Sequence, residues 1–476
     1  MTANRAALPR ATTILYGIGA VAFGVKDNGF SAFLLLYYNQ VLGLPEAWVG
    51  FGIMVALVLD GIFDPLVGYA SDHLHSRWGR RHPFMYAAAL PVAVSYWFLW
   101  NPPAGLSQGQ LLAYFLTTAV LVRMLIAVYE IPSASLVPEL TDQYDERTAV
   151  LSYRFFFGWW GGLTMAVIAY AVFLQPDAEH PVGVLNPDGY HHYGTVAAAI
   201  MMIAILASAI GTHSFIPRLR RPPERRHTGL AGAFHELFET LRNRSFLAIF
   251  CAGIFASMAA GLGASVGIYF NTYFWEFTSS EISVFSLSMF VSAGLAVSIA
   301  PGLSRRWGKK AGAIGVSIAA VAMSPLPITL RLLNLLPANR TPVLFWILVG
   351  FNLVGVMLVI MSSILTASMV ADIVEDSEIA TGRRSEGVFI AANSFVQKAT
   401  SGVGVFASSL LLGAIGFPRN AKPGAVDPEI VRTLGLVYAP VLVVFYLVAI
   451  AFLSSYRIDR ATHESNVERL QRSPSR

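Results

Sequence analysis

Long apolar stretches run almost from one end of this chain to the other, and charges enter them at only a few positions. A helix needs about 20 apolar residues to cross a bilayer, and the stretches have that length. Of 476 residues, 55% are hydrophobic and 13% charged, against about 25% charged in an ordinary soluble domain. A chain this apolar has no surface to offer water over most of its length, so lipid is its main solvent. It is expected to be an all-α membrane protein of twelve transmembrane helices. The spans fall near 13–38, 47–70, 84–101, 110–137, 152–174 and 194–216, then 246–272, 282–303, 310–333, 342–372, 388–416 and 433–455. Residues 1–10 are short and polar and lead into a run long enough to stay in the membrane, which argues against a cleaved leader. The lone Cys251 excludes an internal disulfide framework.

The net charge of +5 is spread over short loops rather than gathered in a patch, so it does not point to nucleic acid. Loops after even-numbered spans carry SRWGRR (76–81), RLRRPPERR (218–226), SRRWGKK (304–310) and TGRR (381–384), while those after odd-numbered spans hold few Lys or Arg. The enrichment of cytoplasmic loops in these residues places both termini in the cytoplasm. RWGRR at 77–81 returns as RWGKK at 306–310, each just after the second span of its half. The chain therefore reads as two pseudo-symmetric six-helix halves, 1–217 and 246–456, with a cytoplasmic linker at 218–245 and a cytoplasmic tail at 457–476. This layout resembles the major facilitator fold, whose solute sites lie between the halves near the membrane midplane.

Charges inside the spans are costly, roughly 2.5–3.5 kcal/mol each near the bilayer centre on insertion scales. They need partners or a water-filled cavity, and they point to a path for ions or polar solutes. Asp60 and Asp64 are four residues apart, hence on one helix face with β-carbons about 6 Å apart. Two carboxylates that close repel in a low dielectric, so one holds a proton or a cation bridges them. The alternative is a structural pair between one Asp and a neighbouring Lys or Arg. Glu130 can face Arg154 on the next span or Asp27 across the cavity, either as a fixed ion pair or as a group that changes protonation as its partners move. Lys26 and Asp27, as neighbours on a helix, point about 100° apart and need not pair. Arg123 lies two turns before Glu130 on the same face. It either neutralises a carboxylate on another helix or joins Arg154 in clamping an anion such as a uronate.

The run DGIFDPLVGYASDHLHSRWGRRHP (60–83) resembles the signature of the glycoside–pentoside–hexuronide:cation symporters. FGVKDNGF (23–30), YEIPSASLVPELT (129–141), YRFFF (153–157) and ADIVEDSEIATGRRSEGVFIAANSFVQK (371–398) agree with that family in the same order. The resemblance implies a cation-driven carrier of sugar-like solutes. It assigns the cation site to Asp60 and Asp64, with Lys398 beside them and Glu130 shared with the solute. It assigns solute contacts to Asp27 and Arg154. Two positions depart from the sodium-coupled pattern. Phe63 stands where relatives have Asn, and Ala127 where they have a hydroxyl, so two oxygens are lost from a site that a hard cation fills with several. Coupling is then expected to use protons, or sodium through backbone and water oxygens. Ser133 and Ala134 replace the family's stacking aromatic, which keeps a lysophospholipid-type solute as the alternative to a sugar or uronide.

Trp159, with Trp160, is placed either against a sugar face or against the first helix. Tyr269, followed by Asn271, Tyr273 and Trp275, is a candidate contribution of the second half to the cavity. Asp72 with Arg77, Arg80 and Arg81, and Glu378 with Arg384, read as gating networks at the cytoplasmic ends. His73, His75 and His82 read as solvated loop residues. No nucleotide loop, nucleophile elbow or metal cluster is visible, so neither a cofactor nor enzyme chemistry is expected, and a membrane sensor or enzyme is the more remote alternative. The expected partners are a small solute and the lipid bilayer, with the carrier a monomer in a bacterial inner membrane.

Overall fold

The computed structural model describes residues 8–141, 144–218, 244–381, 386–422 and 424–456; side chains at 73, 138, 144–148, 218, 244–246, 370–381 and 386–395 lie outside the description. The described residues form helices, with no strand among them. Ten helices are long and apolar enough to cross a membrane. Their helices are those of the second to sixth spans (Glu46–His73, His82–Trp100, Gln108–Leu140, Tyr144–Ile168 and Pro187–His213), the seventh to tenth (Arg244–Tyr269, Ser279–Trp307, Lys309–Met323 continued by Leu326–Leu332, and Pro342–Thr381) and the twelfth (Pro428–Ser454). The first span, 10–41, is built from short pieces, and the eleventh is Glu386–Ala414. Twelve helical segments thus lie where the hydropathy placed them. Several run further than expected, such as the fourth and tenth, because helix hydrogen bonding continues into polar ends where hydropathy has already fallen. Capping boxes fix where the fourth and eighth spans begin: Ser107 with Gln110, and Thr278 with Glu281. The linker and tail expected at 218–245 and 457–476 lie almost wholly outside the described residues.

The repeated RWG motif has a backbone cause. Gly79 and Gly308, the third residue of each copy, both turn with positive φ (73° and 78°). A side chain at either would be strained, so glycine recurs in both copies of the motif, at the cap of the eighth span (Gly308) and in the turn that leads into the third (Gly79).

The first span is interrupted where the chemistry lies. Its α-helical turn Ala20–Asn28 gives way to wider π-type turns at Gly29–Phe33 and again at Tyr37–Val41. Such widening occurs often at functional positions. Gly24 brings this span into backbone contact with the fifth: a Cβ there would lie 1.9 Å from the Gly158 carbonyl oxygen.

The two halves touch along the second and eleventh spans. A Cβ on Gly402 would meet the Leu57 Cβ and the Met54 Cα at 3.2 Å, and one on Gly50 would fall 2.1 Å from the Ser409 hydroxyl. Where the first, seventh and eleventh spans end, a polar clasp closes the gap between halves. The Tyr269 hydroxyl donates to Asn39 Oδ1 (2.9 Å), the Tyr273 hydroxyl and the Ala421 amide donate to Gln40 Oε1 (3.3 and 2.9 Å), and Gln40 Nε2 donates to the Pro418 carbonyl (3.1 Å). All four side chains are buried.

Candidate functional site

The second, fourth, first and eleventh spans bring seven ionic side chains into one line. Glu130 Oε2 lies 3.9 Å from Lys26 Nζ, which is 2.8 Å from Asp27. Asp27 lies 3.7 Å from Arg123, whose Nη1 donates to Asp60 Oδ2 at 2.9 Å. Lys398 then reaches Asp60 at 3.2 Å and Asp64 at 2.6 Å. Acid and base alternate along the whole line, four carboxylates against three cations. Each charge is thereby stabilised inside hydrocarbon by an opposite neighbour rather than by water. Asp60, Asp64, Glu130, Lys398, Asp27 and Arg123, chosen from scattered positions in the sequence, therefore meet. Lys398 comes from the other half, and the close approach at Gly402, one turn further along its helix, lets it reach across.

Exposure varies widely among the acids of the line and Lys398. The Asp27 side chain is 56% exposed although it stands mid-span, whereas Glu130, Lys398 and Asp64 are 22%, 20% and 16% exposed and Asp60 1%. A carboxylate so exposed at this depth is too costly to leave in lipid, which argues for water beside it. Two carboxylate oxygens, Asp60 Oδ1 and Asp64 Oδ1, are buried with no hydrogen-bond partner, and Arg123 Nε shares that state. Buried acceptors are normally satisfied, so these oxygens have capacity for a proton or a small cation.

The geometry decides three pairings that the sequence left open, and Arg123 does neutralise a carboxylate on another helix, Asp60. Lys26 and Asp27 do pair: the lysine is 1% exposed and its long stem lets its ammonium turn back to its neighbour. The Glu130 carboxylate faces Lys26, not Arg154. Arg154 donates instead to the Tyr16 and Ser133 hydroxyls (3.3 and 3.1 Å) and to the Glu130 backbone carbonyl (3.4 Å), with its guanidinium 4.8 Å from the centre of the Phe23 ring. Arg123 and Arg154 consequently do not form a free two-pronged clamp, because Arg123 is engaged by Asp60 and Asp27 and lies 4.6 Å over the Phe30 ring.

Tyr269 does not line the chamber; it is fully buried in the clasp with Asn39. Trp159 is half-exposed and away from the ionic line, while Trp160 packs on Phe290 of the eighth span at 4.5 Å. His82 is not a solvated loop residue: it is buried at the start of the third span, 3.0 Å from the Thr212 hydroxyl of the sixth.

Of the gating residues, Arg80 and Arg81 converge on Asp72 (3.7 and 2.5 Å) and on Glu139 (2.6 and 3.3 Å), and Arg81 also donates to Ser71 at 2.6 Å. Among the described residues this network ties the second span to the fourth within one half. Arg77 lies over its neighbour Trp78 at 5.7 Å. Glu378, by its side chain, and Arg384 altogether lie outside the described residues. Sequence reasoning gave no site role to Glu139, to Lys26 or to the Asn39–Gln40 pair. Glu139 was legible as an acid at the end of the fourth span, matching the basic cluster that closes the second. The amide pair carries no charge and gave no such signal.

Residues 15–460 match the family described as MFS/sugar transport protein. The chain is 26% identical over 456 residues to the isoprimeverose transporter of Lactiplantibacillus pentosus, covering 95% of this chain and 90% of that protein. It is 23% identical over 494 residues to the sodium-dependent lysophosphatidylcholine symporter 1 of Gallus gallus, covering 98% and 90%. Its fold is similar to the inward-open xylose transporter XylE from E. coli, with a TM-score of 0.63, 16% identity, and 96% and 98% coverage.

Proposed function

Because this chain belongs to the MFS/sugar transport protein family, we propose that it is a secondary symporter carrying a glycoside, pentoside or hexuronide-like solute by alternating access, driven by a proton or sodium gradient. The observation that carries this reading is the pair of unpartnered buried oxygens, Asp60 Oδ1 and Asp64 Oδ1, beside a lysine supplied by the opposite half. In the arrangement described here, Lys398 links the halves through both carboxylates. A proton or cation taken up there competes with the ammonium for the same charge and weakens the link, which frees the halves to rock. Asp27 offers its exposed carboxylate to solute hydroxyls, with Arg154 across the chamber wall. The loss of oxygen donors at Phe63 and Ala127 favours protons as the coupling ion. The reading places the carrier in a bacterial inner membrane with both termini in the cytoplasm, a placement supported by the bias of Lys and Arg toward the loops after even-numbered spans.

Asp64→Asn tests the coupling role in vesicles with an imposed gradient. Accumulation of solute is expected to vanish while exchange across the membrane persists, and unchanged accumulation refutes the role. A lysolipid solute is the second reading. It is favoured by a cavity of about 330 Å³ within the second half, between the seventh, ninth, tenth, eleventh and twelfth spans, whose wall is mainly apolar. Competition by lysophospholipids but not by sugars selects it.

A further inference from the structure

We propose that Arg123 is a tethered cation standing where a coupling metal ion would otherwise sit at Asp60, so that it sets the ion preference of the carrier and excludes sodium. The proposal rests on the coupling role of Asp60 and Asp64 stated above. Arg123 is 3% exposed and donates to a carboxylate that is itself 1% exposed. A guanidinium cannot be deprotonated in a protein, so in this arrangement Asp60 faces a fixed positive charge whatever the pH. Lys398 adds a second cation to the same oxygen, Asp60 Oδ2. Around the two aspartates, two acids are thus balanced by two resident bases. A sodium ion entering there finds both acids already paired to bases and meets a guanidinium at close range. It also finds few oxygens: Phe63 and Ala127 contribute none, and each carboxylate has one oxygen already engaged by a base. A hard cation needs about six oxygen ligands.

Placement supports a steering role over a merely structural one. Arg123 bridges acids of two different spans, Asp27 at 3.7 Å and Asp60 at 2.9 Å, and rests on the Phe30 ring, so its fork is held from three sides. The other charged groups facing this point are Lys26 on the first span, Asp64 on the second, Glu130 on the fourth and Lys398 on the eleventh. Of the two lysines, Lys398 already touches Asp60 at 3.2 Å while holding Asp64, and Lys26 is held by Asp27 at 2.8 Å.

Purified protein is titrated with NaCl against choline chloride at constant ionic strength and pH, reading unfolding temperature and binding of radioactive sodium. Wild type is expected to show no saturable sodium response. R123Q is expected to gain one, at least tenfold tighter than any wild-type binding, and R123Q/D60N to lose it again. R123K keeps the charge and stays silent. Should R123Q not fold, R123H serves: its sodium response appears as pH is raised and the imidazole loses its proton. Saturable sodium binding by wild type overturns the proposal, as does a folded R123Q, or a neutral R123H, without it. If Asp64→Asn abolishes accumulation while Arg123 variants gain no sodium response, the coupling role stands and only the tethered-cation proposal fails.

Discussion

Replacing Asp60 by Asn removes one negative charge from the most buried point of the ionic line, and the geometry says what that costs. At an effective dielectric of about 20, opposite unit charges at 2.9 Å attract by roughly 6 kcal/mol, at 3.2 Å by roughly 5, and at 3.7 Å by roughly 4.5. Asp60 is therefore the main partner of Arg123 and an important one of Lys398. Without it, Arg123 keeps only the longer contact to Asp27. Much of the lost attraction is offset because the aspartate no longer has to be desolvated. The net cost expected of a buried pair broken on one side is about 3–5 kcal/mol. Asp64→Asn differs: that side chain is partly exposed, and Lys398 retains Asp60. Its cost should be about 1–2 kcal/mol, near that of one charged hydrogen bond. Removing both partners in D60N/R123Q eliminates the stranded cation, so the double variant should recover about 2 kcal/mol relative to the sum of the single changes. Unfolding of each purified variant in increasing denaturing detergent measures the order. Equal losses for D60N and D64N, or simple additivity in the double variant, would refute the assignment of Asp60 as the keystone of the line.

Two further outcomes test the frame around the site. Tyr269→Phe deletes the hydroxyl that joins the seventh span to Asn39, so about 0.5–1.5 kcal/mol is lost from the closed clasp; distances between spin labels on the 42–45 and 276–278 loops should shift toward a separated population, and an unchanged distribution counts against the clasp. Gly24→Ala drives a methyl into the Gly158 carbonyl and should destabilise by about 1–3 kcal/mol. Gly294→Ala, which meets nothing within 4 Å, should be neutral or slightly stabilising in the same melts.

The sequence by itself determined the solvent of this protein, the number and approximate places of its helices, its division by the RWG repeat, and which charges had to be explained. Those features follow from local quantities: a run of apolar residues has one way to satisfy its backbone in lipid, and a charge inside it is conspicuous wherever the chain goes. Pairing is a different matter. Whether Lys26 turns toward Asp27, whether Glu130 faces Lys26 or Arg154, and whether Arg123 belongs to Asp60 depends on how four helices cross. The Tyr269 clasp and the role of Glu139 likewise exist only because distant ends of the chain are packed side by side. Sequence names the charges; helix packing, set by contacts as close as Gly24 on Gly158 and Gly402 on Met54, decides which of them meet.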